Sequence, residues 1–193
     1  MAKGRKTFRK IITSDELTAQ INKENIKLME RFLKNFATKR SPKSVTVYRS
    51  NLIIFFTWNL LENSNKPFAK IRKLEMLDFF DYALSELRWS PNRFHQCHSS
   101  LSSFSDWIEN YYDEVDGYEN FRNIVKKVEK PSKEAVREKT VLKEEDIDKI
   151  FAVLEEENRT QEQCLLALAI SCGARVSELA QFSTSLIDEE NTV

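Results

Sequence analysis

Arg175 is the residue of this chain best suited to chemistry on a phosphate. It lies in Cys172-Gly173-Ala174-Arg175-Val176-Ser177-Glu178-Leu179, just after a glycine and three residues before an acid. A guanidinium is planar, permanently charged, and able to bond two oxygens at once. Glu178 is spaced to pair with it, or to accept backbone hydrogen bonds, if residues 176–182 form a short helix. On its own, R-x-x-E-L is a common helix ion pair. Two other donor groups follow expected helix starts: Lys43, Ser44, Thr46 and Arg49 after Ser41-Pro42, and Arg93, Gln96 and Ser99 after Ser90-Pro91. Donors on the first turns of a helix suit phosphate oxygens. His95, Cys97 and His98 stand close together, but zinc needs a fourth ligand, and no metal is assigned. No cofactor is expected either, since no P-loop, G-x-G-x-x-G or nucleophilic triad occurs.

The elements that must hold these residues are helices. Residues 164–170 are near-continuously apolar and too rich in Leu and Ala for a strand, which predicts a buried helix. Thr160-x-x-Gln163 reads as its capping box, and Gly173 supplies the turn that ends it. Val176, Leu179 and Ala180 then share one buried face beneath Arg175. Upstream, Thr13 and Glu16 fit a capping box, with Ile12 and Leu17 as the hydrophobic staple. That helix is expected to run to about Thr38, burying Leu17, Ile21, Leu28, Phe32 and Phe36, with Lys23, Lys27, Arg31 and Lys34 as a basic flank. Ser41-Pro42 opens a second helix to near Leu61, with Val45, Tyr48, Leu52, Phe55 and Phe56 inward. A third covers residues 73–88, burying Leu74, Leu77, Phe80, Leu84 and Leu87. Ser90-Pro91 opens a fourth to about Asn110, with Phe94, Leu101, Phe104, Trp107 and Ile108 inward. A short amphipathic helix is expected over 118–128, and a charged linker with Pro131 over 129–140. A helix with Ile147, Ile150, Phe151 and Leu154 inward follows. After Phe182 a turn over 186–191 leads to a strand start at Thr192-Val193.

Composition fits a soluble globular chain: 193 residues, 31% charged and 41% hydrophobic. No apolar stretch reaches membrane-spanning length, and M-A-K-G-R-K lacks a signal-peptide apolar region. No membrane partner is expected, and the compartment is read as cytoplasmic. Cys97, Cys164 and Cys172 form no disulfide framework; Cys164 and Cys172 read as small core residues. The net charge of zero hides an asymmetry. Residues 1–50 carry 13 Lys/Arg against 4 Asp/Glu, and the rest carry 17 against 26. A basic first quarter suits a polyanion, most simply nucleic acid; a solvated basic face explains it as well. Only three glycines and four prolines interrupt the chain, which argues for a mainly helical fold.

The apolar helix followed by Gly173-x-Arg175-Val176-Ser177-Glu178-Leu179 resembles the first catalytic-arginine box of the tyrosine recombinases, the phage integrase family. Family members usually read T-G-x-R there, where this chain has Cys172-Gly173-Ala174-Arg175. Ser41-Pro42, Thr46-x-Tyr48, Asn51-Leu52, Phe55-Phe56 and Trp58, with Ser90-Pro91, Leu101, Phe104 and Trp107, resemble the family's core-binding domain. His95 and Gln96 stand where an Asn-Arg pair is often found. The resemblance implies a mainly α chain: a four-helix, SAM-like core-binding bundle, then the helical first part of a catalytic domain. The corresponding domains are a basic arm at 1–12, the bundle at 13–128, the linker at 129–140 and the incomplete catalytic part at 141–193. It implies double-stranded DNA as partner, self-association as dimer or tetramer in a full-length parent, and strand exchange through a 3′-phosphotyrosyl link. Arg175 would stabilise charge on the scissile phosphate, supported by Glu178. All five tyrosines precede Arg175, so none matches the nucleophile's place. The expectation is an N-terminal portion of a mobile-element recombinase that cannot cut DNA alone. A non-catalytic helical DNA-binding protein and a helical protein-interaction module are the alternatives.

Overall fold

The computed structural model describes residues 13–132 and 141–182. It is mainly α, as expected, with no strand among those residues. Two compact units divide the chain, Met1–Ala135 and Val136–Val193. The basic arm with Ile12 of the staple, linker residues 133–140, the turn over 186–191 and the strand start lie outside the described residues.

The first unit contains α1 (Asp15–Gln20), α2 (Lys23–Ala37), α3 (Pro42–Glu62), a 3-10 turn (Phe68–Lys70), α4 (Lys73–Ser85) and α5 (Pro91–Tyr111). α3 and α5 start as their sequences dictate. Ser41 Oγ accepts the Ser44 N–H at 3.4 Å, Ser90 Oγ accepts the Arg93 N–H at 3.3 Å, and a proline follows each cap. The expected single first helix is instead α1 and α2. Ser14, not Thr13, caps α1, accepting from the Leu17 N–H at 3.2 Å. The break comes from Asn65, in the loop after α3. Its Oδ1 accepts the Asn22 N–H and its Nδ2 donates to the Gln20 carbonyl, each at 2.9 Å. Asn22 in turn caps α2 through the Glu24 N–H. Side-chain amides thus take up the backbone groups that a continuous helix would have used.

The core is built from phenylalanine. Phe55, Phe56, Phe68, Phe79, Phe80, Phe94 and Phe104 are fully buried. Their rings meet edge-on or tilted, with centroids 5.0 Å apart for Phe55 and Phe79 and 4.9 Å for Phe68 and Phe104. α4 turns a different face inward from the leucine stripe expected. Met76, Phe79, Phe80 and Ala83 are buried, while Leu74 is 67% exposed and Leu77 and Leu84 also face out. The aromatic pair wins because it bridges two neighbours: Phe79 meets Trp89 and Phe80 meets Phe94. Rings bury more area than leucines in the same place. Leu87 is buried as expected, but past the helix end.

Residues 118–128 form turns rather than the expected helix. Asn123 decides this. Its Oδ1 accepts the Val125 and Lys126 N–H groups at 2.8 and 2.9 Å, and its Nδ2 donates to Ser102 O and Asp106 Oδ1 of α5. Glu109 accepts the Asn123 N–H and Ser105 the Ile124 N–H, so the middle of this strap, residues 118–128, is bonded to α5 instead of continuing as a helix. Val125 and Val128 are buried beneath it.

The second unit holds α6 (Glu144–Glu156), α7 (Thr160–Cys172) and α8 (Val176–Leu179). Leu154 of α6 is buried and Ile147 and Phe151 are half-buried, but Ile150 is exposed. Arg159, not Thr160, takes the N-cap position of α7, so the expected capping box does not form. The expectation of a buried helix is overturned. α6 and α8 pack on α7 but leave most of its circumference open; no residue of α7 is buried, and Leu165, Leu168 and Ile170 are exposed. Cys164 and Cys172 are exposed too, not core residues.

Two consequences can be measured. Asn25 is fully buried; its Oδ1 accepts the Phe68 N–H at 2.7 Å and its Nδ2 donates to the Lys66 carbonyl at 2.9 Å. Asn25→Leu strands the Phe68 N–H, while Asn59 still bonds the Lys66 carbonyl, and is expected to cost about 1–3 kcal/mol in a denaturant melt. An unchanged midpoint would show that the loop is held by other means. His98 is buried against the rings of Phe80 and Phe94, with the backbone of Val125 and Val128 beside its ring. Burial, with the Lys130 charge second, pushes its pKa from 6.5 down to about 4. The folded chain therefore keeps His98 neutral where the unfolded chain takes a proton, so stability is lost as pH falls from 6.5 towards 4. The melting temperature of the wild type should drop more steeply across that window than that of His98→Leu. Parallel curves would remove His98 as the cause.

Candidate functional site

Arg175 stands where the sequence places it, but on a less buried platform. α7 ends with Gly173 in the left-handed region (φ 61°), its N–H donating to Ala169 O at 3.0 Å. Two residues later Arg175 is extended and occupies the N-cap position of α8. Glu178 closes the turn. Its Oε2 accepts the Arg175 N–H at 2.7 Å and its Oε1 accepts from Arg175 Nη1 at 3.0 Å. One carboxylate therefore fixes both backbone and side chain of the arginine. Leu179 beneath is buried, whereas Val176 is 78% exposed and Ala180 is exposed, so the expected three-residue face reduces to one leucine. The Arg175 side chain is 83% exposed and available to an oxyanion.

The other expected residues sit on α3 and α5, which cross antiparallel. Asn51 meets Ser100, and Tyr48, one turn earlier on α3, meets Ser103, one turn later on α5. The first turns of the two helices therefore lie towards opposite ends of the crossing rather than in one cluster. Lys43 is exposed at the start of α3. The hydroxyls beside it are engaged locally: Ser44 Oγ lies 3.1 Å from Ser41 Oγ, and Thr46 Oγ1 donates to Pro42 O. Arg49 is not a free cation. Both of its terminal nitrogens bond the Glu30 carboxylate, and that hydrogen bonding raises its pKa further.

Arg93 is held differently. Its guanidinium lies over the Trp89 ring, 4.6 Å from the centroid. Nη1 donates to the amide oxygens of Asn51 and, at 2.7 Å, of Gln96. Asn51 Nδ2 donates to Ser100 Oγ at 2.7 Å, which fixes the direction of its oxygen. Arg93, Gln96, Thr46, Ser50, Asn51 and Trp89 line one groove of about 430 Å³. Arg49 lines a neighbouring groove with Glu30, Thr46 and Ser50. Ser99 is exposed on α5, one turn beyond Gln96. Three contributors escaped the sequence reading. Glu30 could be found only through its long-range pairing with Arg49. Trp89 stands four residues before Arg93, and Asn51 is a polar residue on an apolar helix face; both are legible signals.

His95, Cys97 and His98 do not converge. His95 Nε2 is 2.8 Å from Pro131 O, and His98 is buried against the Phe80 and Phe94 rings. Burial pushes the Cys97 thiol up to about 12, so it is inert as a thiolate. No group of three metal-ligating side chains occurs among the described residues. No helix among them is long and apolar enough to cross a membrane.

Comparison with known proteins places these features in context. No protein-family model matches the chain, and no solved structure matches it. Over 176 residues, 91% of this chain, it is 26% identical to the SPbeta prophage-derived recombinase-like protein YomM of Bacillus subtilis (strain 168). A match of that extent necessarily includes α3 and α5. The chain spans about half the length of that protein, 52%. This chain is therefore similar to a recombinase-like protein.

Proposed function

We propose that this chain is the DNA-holding N-terminal portion of a site-specific tyrosine recombinase. The observation that carries the reading is the similarity to a recombinase-like protein over 91% of the chain. The fixed arginine of the Gly173–Glu178 turn supports it, because its geometry suits the charge that develops on a phosphate under attack. In this reading the chain comprises an arm at 1–12, the core-binding bundle at 13–128, a linker at 129–140 and the beginning of the catalytic part from 141.

In this reading the α3–α5 face meets the backbone of double-stranded DNA. Lys43, Ser44, Thr46, Arg49, Arg93, Gln96 and Ser99 supply donors to phosphate oxygens. Arg175 stabilises the non-bridging oxygens of the scissile phosphate, and Glu178 sets its direction. In the family a tyrosine downstream of the arginine makes the 3′-phosphotyrosyl link. The five tyrosines here all precede Arg175, so in this reading none of them is that nucleophile. Self-association on DNA belongs to the full-length recombinase.

Fluorescence anisotropy with duplex DNA tests this. Affinity is expected to fall steeply and log-linearly with salt, as phosphate contacts release counterions. Binding that ignores salt, or no binding, would count against the proposal. Arg49 must leave Glu30 to reach a phosphate. Glu30→Gln is therefore expected to tighten binding by up to about fivefold, the worth of an exposed ion pair. Arg49→Ala is expected to weaken binding to all sequences by a similar factor. If neither variant changes affinity, Arg49 leaves the contact surface. After incubation with DNA and denaturation, no covalent protein–DNA adduct is expected; finding one would place a nucleophile within these residues.

A further inference from the structure

We infer that Arg93 is a built subsite for a single phosphodiester group, with Trp89 and Asn51 as its positioning residues. The inference rests on the DNA-binding reading and specifies which contact sets the register.

The cations of this chain are treated unequally. Arg49, Arg122, Arg159 and Arg175 each face a carboxylate, as does Lys66 with Glu75. Arg93 forms no ion pair among the described residues. The groups that orient it, the Asn51 and Gln96 side chains, are neutral amides. A carboxylate there would hold the guanidinium equally well but cancel its charge. An amide oxygen holds it and leaves the charge for a ligand.

The hold is also rigid. Asn51 is 1% exposed and tied to Ser100, which is itself fully buried and donates to the Gln96 carbonyl at 3.1 Å. α3 and α5 therefore grip one edge of Arg93 through a closed polar circuit. Trp89, 7% exposed and packed on Phe79, covers one flat face of the guanidinium and strips water from it. With Nη1 committed to the amides, the edge formed by Nε and Nη2 remains for the groove. Two parallel donors on one edge match two oxygens of a phosphodiester. The N-terminus of α5 is not the anion site, because Ser90 already accepts the Arg93 N–H. Thr46 and Ser50 line the same groove.

A lysine at position 93 keeps the charge but has neither the fork nor the flat face. That difference separates a built subsite from diffuse attraction. The full chain is titrated with duplex DNA of two unrelated sequences over a range of salt, for wild type, Arg93→Ala, Arg93→Lys and Asn51→Asp, with thermal melts to confirm folding. Arg93→Ala is expected to lose about tenfold in affinity for both sequences. It should also lower the slope of log K against log salt by about 0.9, one phosphate. Arg93→Lys should lose nearly as much affinity as Ala. Asn51→Asp should imitate Ala by neutralising Arg93, and is read only where its melt shows it folded, since it also removes the donor to Ser100. Full affinity in Arg93→Lys, or an unchanged salt slope in Arg93→Ala, overturns the subsite while leaving DNA binding intact. A loss confined to one sequence, with the slope unchanged, makes Arg93 a reader of a base edge and overturns the phosphodiester assignment. If the wild type binds neither duplex, the DNA-binding reading fails, and this inference fails with it.

Discussion

The contact between α3 and α5 is the constraint on which the first unit depends. Both helices are 21 residues long, and their facing sides carry the phenylalanines that fill the core. Phe55, Phe56, Phe94 and Phe104 would permit several registers, since apolar packing is non-directional. The hydrogen bond from Asn51 to Ser100, buried among them, permits one. A shift by one turn would take the Asn51 amide away from its acceptor and bury it without one, which costs more than the bond contributes when made. The same asparagine faces outward with its oxygen to hold Arg93. Core register and surface geometry are thus set by one side chain.

Asparagines also do most of the work at the unit's turns. Asn65, with φ 51°, accepts a conformation that other side chains resist, and spans from the α3–α4 loop to the α1–α2 junction. Asn25 and Asn59 both donate to the Lys66 carbonyl, so the loop is pinned from α2 and α3 together. Asn123 does the same for the strap on α5. A small amide that donates and accepts at once can stand in for two backbone groups, which lets an irregular segment lie against a helix without unpaired donors.

Local chemistry was legible in the sequence and long-range chemistry was not. Ser41-Pro42 and Ser90-Pro91 marked helix starts correctly because cap and helix are neighbours in the chain. The stop at Gly173 and the Arg175–Glu178 pair were legible for the same reason. The split between α1 and α2 was hidden because its cause, Asn65, lies more than 40 residues away. On α4 the sequence marks Phe80 and Leu87 correctly as inward, but leucine spacing alone does not show that Phe79 finds an aromatic partner on another element while Leu74, Leu77 and Leu84 face out. The strap at 118–128 has helical periodicity, but Asn123 bonds it to α5. α7 was read as buried from composition. Composition reports what a helix could bury, and α6 and α8 cover only part of it.

The two arginines of the α3–α5 face show why charge counts are a weak guide to a binding surface. In the sequence, Arg49 and Arg93 are equivalent: each follows a Ser-Pro helix start and each adds one positive charge. In the fold, Arg49 faces an acid and its field beyond a few ångströms is that of a dipole. Arg93 faces amides and a ring, and its field is that of a whole charge beside a low-dielectric surface. The basic excess of residues 1–50 therefore overstates the pull of α3 on a polyanion. The single positive charge counted at the start of α5 is, by contrast, fully available there. Of these two arginines, Arg93, whose partners leave its charge uncancelled, would orient a polyanion first, and Arg49, which must first give up a carboxylate, only afterwards.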